Sequence, residues 1–184
     1  MAVKSNFTDG TALPASDINT YLTNGGLVYI TGATIGTAVT AVNLTSVFSS
    51  TYDSYRVVFR TDSATGNSNF LMRFGTGTAV ATNYKSYLYS NNAAWTTGGS
   101  VQVTDLTGAL LTYGHPTSIT GNADINGPNL ARATTTFGQY ATSDNGGFTA
   151  GIQTDSTQFT SLHLVPVSGT FTGGLVTVYG YRKA

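Results

Sequence analysis

The amino-acid sequence predicts an all-β protein: an antiparallel β-sandwich of jelly-roll-like type, or a closed barrel, preceded by a short N-terminal helical arm. Three observations lead there. Good solvated-helix formers are scarce, since the 184-residue chain has no Glu and few Lys, while Thr, Val, Tyr and Phe, which suit a pleated surface, are frequent. Short runs with a period of two recur along the chain. Turn-forming Gly and Asn fall between them at the spacing of a many-stranded sheet protein.

The first 25 residues read differently from the rest. Thr11 to Leu22 is the one convincing helical stretch: Pro14 suits a first turn, Asp17 favours the positive end of the helix, and Gly25-Gly26 can stop it. Ile18, Tyr21 and Leu22 share one face. A helix of about two turns is not stable alone in water, so it must dock. It either closes one end of its own domain or serves as an attachment or oligomerisation arm, with Leu13, Ile18, Tyr21 and Leu22 as the contact residues. Residues 1–25 therefore form an arm and 26–184 a single domain.

Serial strands follow. Leu27 to Ile30 is a short apolar run, and Thr37 to Phe48 is rich in Thr and Val. Tyr55, Val57 and Phe59 alternate with Arg56, Val58 and Arg60; Phe70, Met72 and Phe74 alternate with Leu71 and Arg73. Weaker candidates are Tyr84 to Tyr89, Ser100 to Val103, Ala109 to Tyr113, Ala131 to Phe137, Phe148 to Ile152 and Ser161 to Val165. The last strand, Leu175 to Arg182, sets Thr177, Tyr179 and Tyr181 opposite Val176 and Val178. Breakers are expected at Thr65-Gly66-Asn67, Gly75-Thr76-Gly77, Gly98-Gly99, Asp144 to Gly147 and Gly173-Gly174. No repeat of fixed period is present, which disfavours propellers and solenoids.

Composition narrows function. Eight basic residues balance eight Asp, so the formal net charge is zero, and a nucleic-acid partner held by bulk electrostatics is excluded. A hydrophobic content of 40% with 11% aromatics is enough to fold. Cys is absent, so disulfides, thiolate metal sites and cysteine nucleophiles are too. No apolar stretch approaches 18 residues, so no membrane insertion is expected, and the opening MAVKSNFTDG lacks the apolar region of a secretory signal. An uncharged chain is a poor free monomer, which points to life in an assembly.

Motifs for chemistry are weak. His115 and His163 have no neighbouring His, Glu or Cys, so no metal site is expected. Asn122 to Gly127 copies the first half of a calcium loop, but its twelfth position is Ala133 where a bidentate Glu is needed; a plain Asn/Asp/Gly turn is expected there. No Gly-x-Ser-x-Gly elbow occurs. Asp53, Asp62, Asp105, Asp124, Asp144 and Asp155 each lie in or beside an expected turn, so a carboxylate pair for hydrolysis is not foreseen. The chain is read as a non-enzyme without cofactors.

The aromatics are the better signal. Tyr84, Tyr87, Tyr89 and Trp95 surround Ser90-Asn91-Asn92. Rings edged by amides and hydroxyls suit a sugar-binding surface, and equally a subunit interface or the rim of the core.

Three segments carry a resemblance. Phe7 to Asn19, read as G-x-x-L-x-A-S-D-hydrophobic-N, resembles the start of many tailed-bacteriophage structural proteins. Phe48 to Phe59, with Tyr52-Asp53-Ser54-Tyr55-Arg56, is similar to a recurrent stretch in the same proteins, there followed by strands matched here by Leu71-Met72-Arg73-Phe74 and Asn83-Tyr84. Gly169 to Arg182 is similar to their closing strand. Trp95 to Pro128 matches no such pattern. The resemblance implies a virion structural protein: a tail fibre, a head or collar fibre, or a capsid decoration protein. It also implies a homotrimer held to capsid, portal, adaptor or tail proteins by the N-terminal arm. A glycan-binding receptor-recognition module on the host surface is the alternative of another class.

Overall fold

The computed structural model describes residues 26–65, 69–91 and 98–183, the stretch 100–106 by its backbone alone. The chain is all-β and antiparallel, with no helix among the described residues. The predicted helical arm, with Leu13, Ile18, Tyr21 and Leu22, lies outside them, as does Trp95.

Twelve strands follow one another: β1 (Leu27–Thr34), β2 (Val42–Leu44), β3 (Ser54–Ala64), β4 (Phe70–Gly75), β5 (Tyr84–Asn91), β6 (Gly98–Leu106), β7 (Ala109–Thr112), β8 (Ile119–Asn126), β9 (Thr134–Thr142), β10 (Gly146–Gln153), β11 (Ser161–Pro166) and β12 (Phe171–Tyr181). Eight form one sheet in the order β1-β12-β3-β8-β9-β10-β5-β6, and four form the other in the order β2-β11-β4-β7. The long-range pairs nest: β3 with β12 in the large sheet, β4 with β11 in the small one, β5 with β10 in the large one again. A single extended hairpin wrapped around itself has this pattern.

Alternation builds the core between the sheets. From the large sheet come Tyr55, Val57 and Phe59 of β3, Ile119, Ala123 and Ile125 of β8, and Val176 and Val178 of β12. Facing them are Phe70, Met72 and Phe74 of β4 and Leu162 and Leu164 of β11. Each such large side chain, fully withdrawn from water, contributes about 1.5–3 kcal/mol. Edge-to-face rings lock the seam, with Phe70 and Phe171 centroids 4.5 Å apart and Phe48 and Tyr55 4.8 Å apart.

Several sequence expectations are corrected. Asn122 to Gly127 is not a turn: all but Gly127 belong to β8, a central strand paired on both sides, and the turn begins only at Gly127. Its Ile119, Gly121, Ala123 and Ile125 alternate inward, but Gly, Asn and Asp mask the pattern because their strand propensity is low. Asp62, Asp105 and Asp124 accordingly stand within strands. Gly98-Gly99 opens β6, and Gly173-Gly174 lies inside β12. Both residues of that second pair have positive φ, 65° and 104°, and a Cβ on Gly174 would fall 2.0 Å from the Arg60 carbonyl oxygen. Glycine there lets the ladder continue rather than breaking it. The Thr/Val-rich stretch from Thr37 to Phe48 contributes only the short β2.

The motifs that carried the resemblance meet in this frame. Tyr55 is buried and its hydroxyl donates to the Ser49 carbonyl and accepts from the Ser49 N–H. Burial first, with these bonds opposing it, pushes its pKa up. The ring of Tyr52 rests on Gly180 of the closing strand.

Candidate functional site

Strand β5 separates the aromatic candidates by parity. Tyr84, Ser86 and Leu88 point inward, while Lys85, Tyr87 and Tyr89 point outward. Tyr84 has no exposed surface, so it is neither a ligand nor an interface residue. Its hydroxyl accepts the Phe74 N–H at 2.8 Å, and burial pushes its pKa up to about 12. Tyr87 and Tyr89 stand on the outer face of the large sheet.

That face is unusual. Ten large apolar or aromatic residues are noted as well exposed among the described ones, and eight occupy it: Leu27, Tyr29, Val58, Leu175, Phe137, Phe148, Tyr87 and Tyr89. Soluble monomers rarely gather their exposed apolar groups on one surface. Strands β9 and β10 cause part of this by being inside out. Their inward positions hold Thr134, Thr136, Thr149 and Gln153, all buried, while Phe137 and Phe148 face outward. Around Gly151 small groups are needed inside because the small sheet approaches closely, a Cβ there lying 3.3 Å from the Ala109 Cβ, whereas Tyr140 and Gln153 fill inward positions further along.

The face divides into two halves. On the β1-β12-β3-β8 half, register aligns Tyr29, Tyr179, Arg56 and Asp124 in one row. Arg56 grips Asp124 with two bonds, Nε to Oδ1 at 2.8 Å and Nη2 to Oδ2 at 2.7 Å. The Tyr181 hydroxyl donates to Asp124 Oδ1 at 2.7 Å, and the guanidinium sits 5.7 Å from the Tyr181 ring centroid. Burial raises the Asp124 carboxyl, but the bonds from Arg56 and Tyr181 outweigh it and hold the group below its ordinary pKa. The opposed charges of Arg56 and Asp124 on this face thus cancel each other.

On the β9-β10-β5 half lies a groove of about 540 Å³. Asn122, Gln139, Phe148 and Tyr89 come from four adjacent strands in one register row. The neighbouring row holds Ala141, Gly146 and Asn91, whose small size leaves the depression. Asn91 Oδ1 accepts the Gly146 N–H at 2.7 Å, turning its NH₂ group free of that bond. The Tyr89 ring lies down over Gly98, where a Cβ would fall 2.0 Å from the Tyr89 hydroxyl.

Sequence reasoning singled out Tyr87, Tyr89 and the adjoining Asn91 but missed Phe137, Phe148, Asn122 and Gln139. The signal was a phenylalanine set among Thr and Gly in each of two adjacent strands. Its meaning depends on which side is the core.

The polar clusters elsewhere are closed. His163 is buried; its Nδ1 donates to Asn43 Oδ1 at 2.8 Å and its Nε2 accepts from the Ser161 hydroxyl at 2.9 Å. This Ser-His-Asn array offers a substrate no access, since Ser161 is 1% exposed. His115 bridges Asp144 at 3.0 Å and Thr117 at 2.7 Å, tying the β7–β8 loop to the β9–β10 turn. No group of three His, Cys, Asp or Glu is placed to hold a metal among the described residues.

No protein-family model matches the chain, and no curated protein matches it. Solved structures with a likeness include the SPBc2 prophage-derived protein YomS, with 11% identity over 83% of this chain and 94% of that one, at a TM-score of 0.29. A single mutant of congerin II has 11% identity over 75% of this chain and 98% of that one, at a TM-score of 0.38. A Bacillus endospore appendage protein has 14% identity over 88% and 94%, at a TM-score of 0.28. The weak likenesses thus include a prophage-derived protein and an appendage protein.

Proposed function

We propose that this chain is a non-enzymatic structural protein of a bacteriophage virion: a tail-fibre or head/collar-fibre appendage with a jelly-roll-like sandwich domain, attached through its N-terminal arm. The observation that carries the reading is the outer face of the large sheet, with eight exposed apolar or aromatic side chains on a chain of zero net charge. Such a surface is unsuited to a lone soluble molecule and suited to one covered in an assembly. The three ordered sequence segments support the phage assignment, and the nested pairing of β3–β12, β4–β11 and β5–β10 supports the jelly-roll reading.

The subunit contact is assigned to the β1-β12 end of the face, around Leu27, Tyr29 and Leu175. Among the described strands β1 is the edge of the large sheet, and it begins at Leu27, directly after residues 1–25. Arm and edge then form one continuous contact in a closed homotrimer, and threefold repetition multiplies a weak anchor by avidity. A capsid decoration protein is the variant in which adsorption plays no part.

The test is deletion of residues 1–24 and measurement of incorporation into particles encoded by the same genome. Loss of the protein from purified virions is expected; undiminished occupancy overturns the arm. Light scattering of a Tyr29→Asp variant addresses the edge, with a shift from trimer to monomer expected.

A further inference from the structure

We propose that the groove at the β9-β10-β5 end of the large sheet is a binding site for a short, electrically neutral oligosaccharide. The inference does not need the subunit contact, which is assigned to the β1-β12 end of the same face.

Size comes first. About 540 Å³ falls inside the range of roughly 300–1,000 Å³ for small-molecule sites. It has room for a short glycan segment.

Chemistry selects the ligand. The walls are the rings of Tyr89 and Phe148, both about half exposed, at 43% and 52%. A pyranose presents an apolar C–H face, and such a face packs on an aromatic ring. Tyr89 is held flat for this purpose because Gly98 leaves its side-chain space to the ring. Around the rings stand three primary amides, from Asn91, Asn122 and Gln139. An amide carries both a donor and an acceptor and so matches neighbouring sugar hydroxyls, which are themselves both. Asn122 and Gln139 face each other in register, and their side chains make no hydrogen bond within the described structure. They are available to a ligand.

Charge excludes the competitors. Among the described residues that line the groove there is no Asp, Lys, Arg or His. A sialylated, phosphorylated or uronic glycan would bring an anion with no cation to meet it, and its desolvation would go uncompensated. Nucleic acid fails for the same reason. An extended peptide adds itself to a sheet edge, whereas this groove lies over β8, β9, β10 and β5, whose ladders are already paired.

The experiment uses the full chain. An array containing neutral oligosaccharides alongside sialylated, phosphorylated and uronic ones is probed first. The best-scoring neutral trisaccharide is then titrated by calorimetry against wild type, Phe148→Ala, the double variant Asn122→Ala/Gln139→Ala, and Val167→Ala as a control at an exposed position outside the groove. Melting curves confirm that each variant is folded, since all four positions are surface side chains. We expect signal from neutral glycans only, a loss of affinity of at least tenfold in Phe148→Ala and in the double variant, and no change in Val167→Ala. The proposal is overturned if no neutral glycan binds, if only anionic glycans bind, or if Phe148→Ala binds as wild type does. None of these outcomes bears on virion incorporation, which the arm deletion reads separately.

Discussion

The ring of Tyr52 occupies the side-chain space of Gly180. A Cβ built on Gly180 would lie 2.6 Å from Tyr52 Cγ and 2.7 and 2.8 Å from its Cδ atoms. The contact is at the root of the ring, close to its own backbone, so the ring cannot swing clear as a flexible tip would. The Tyr-Asp-Ser-Tyr-Arg segment that leads into β3 and the Val-Tyr-Gly-Tyr-Arg segment that closes β12 are therefore one structural unit, Tyr52 and Gly180 lying 128 positions apart in sequence. Arg56, Asp124 and Tyr181 complete it on the outer face.

Gly180→Ala is expected to destabilise the fold by about 1–3 kcal/mol, the usual cost of overpacking. Combining it with Tyr52→Ala removes the clash, so the double variant should lose less than the sum of the two single losses. Urea denaturation of the four proteins gives the coupling energy. Simple additivity would show that the ring yields without strain.

The Arg56–Asp124 pair sets part of the acid stability. The Asp124 carboxyl is held below its ordinary value near 3.8 in the folded protein. Its contribution is present above that unfolded value and is lost as pH falls through the lower folded one. Because both side chains are about a third exposed, Arg56→Ala should cost only about 1 kcal/mol at pH 7. Asp124→Asn should flatten the stability curve on the acid side, from about pH 5 downward, as measured by denaturant midpoints.

His163 works at milder pH. Burial first, and then the charge of Arg73, lower its pKa from 6.5. In the interval below 6.5 the unfolded chain takes up a proton that the folded chain refuses, so stability falls as acid is added. His163→Gln is expected to remove the loss that wild type shows between pH 7.5 and pH 5. A wild-type midpoint constant over that interval would mean the imidazole protonates in place.

Tyr84→Phe distinguishes core from surface. It deprives the Phe74 N–H of its acceptor in a fully buried place, at an expected cost of about 1–3 kcal/mol. Glycan titration should be unchanged, because Tyr84 and the groove lie on opposite faces of β5. A changed affinity with unchanged stability would reverse the assignment of this side chain.

Much of the fold was legible as local pattern. Tyr55, Val57 and Phe59 alternate with polar or exposed neighbours, and a β-branched, aromatic-rich chain without Glu has little choice but to pleat. Period alone places Tyr84 and Tyr87 on opposite faces of one strand, since they are three positions, an odd number, apart. What period does not tell is which face meets the other sheet. In β5 the inner set is Tyr84, Ser86 and Leu88; in β9 and β10 it is mostly threonine and glycine, with Tyr140 and Gln153 at one position each and Phe137 and Phe148 left outside. The closeness of the small sheet at Gly151 decides that, and it arises from residues distant in sequence. Strand β8 is the same lesson in reverse, for Gly121, Asn122 and Asp124 prefer turns alone and become strand because β3 and β9 supply partners on both sides. Local chemistry settled that this chain forms strands. Long-range pairing chose their inward faces, and so created both the apolar surface and the groove within it.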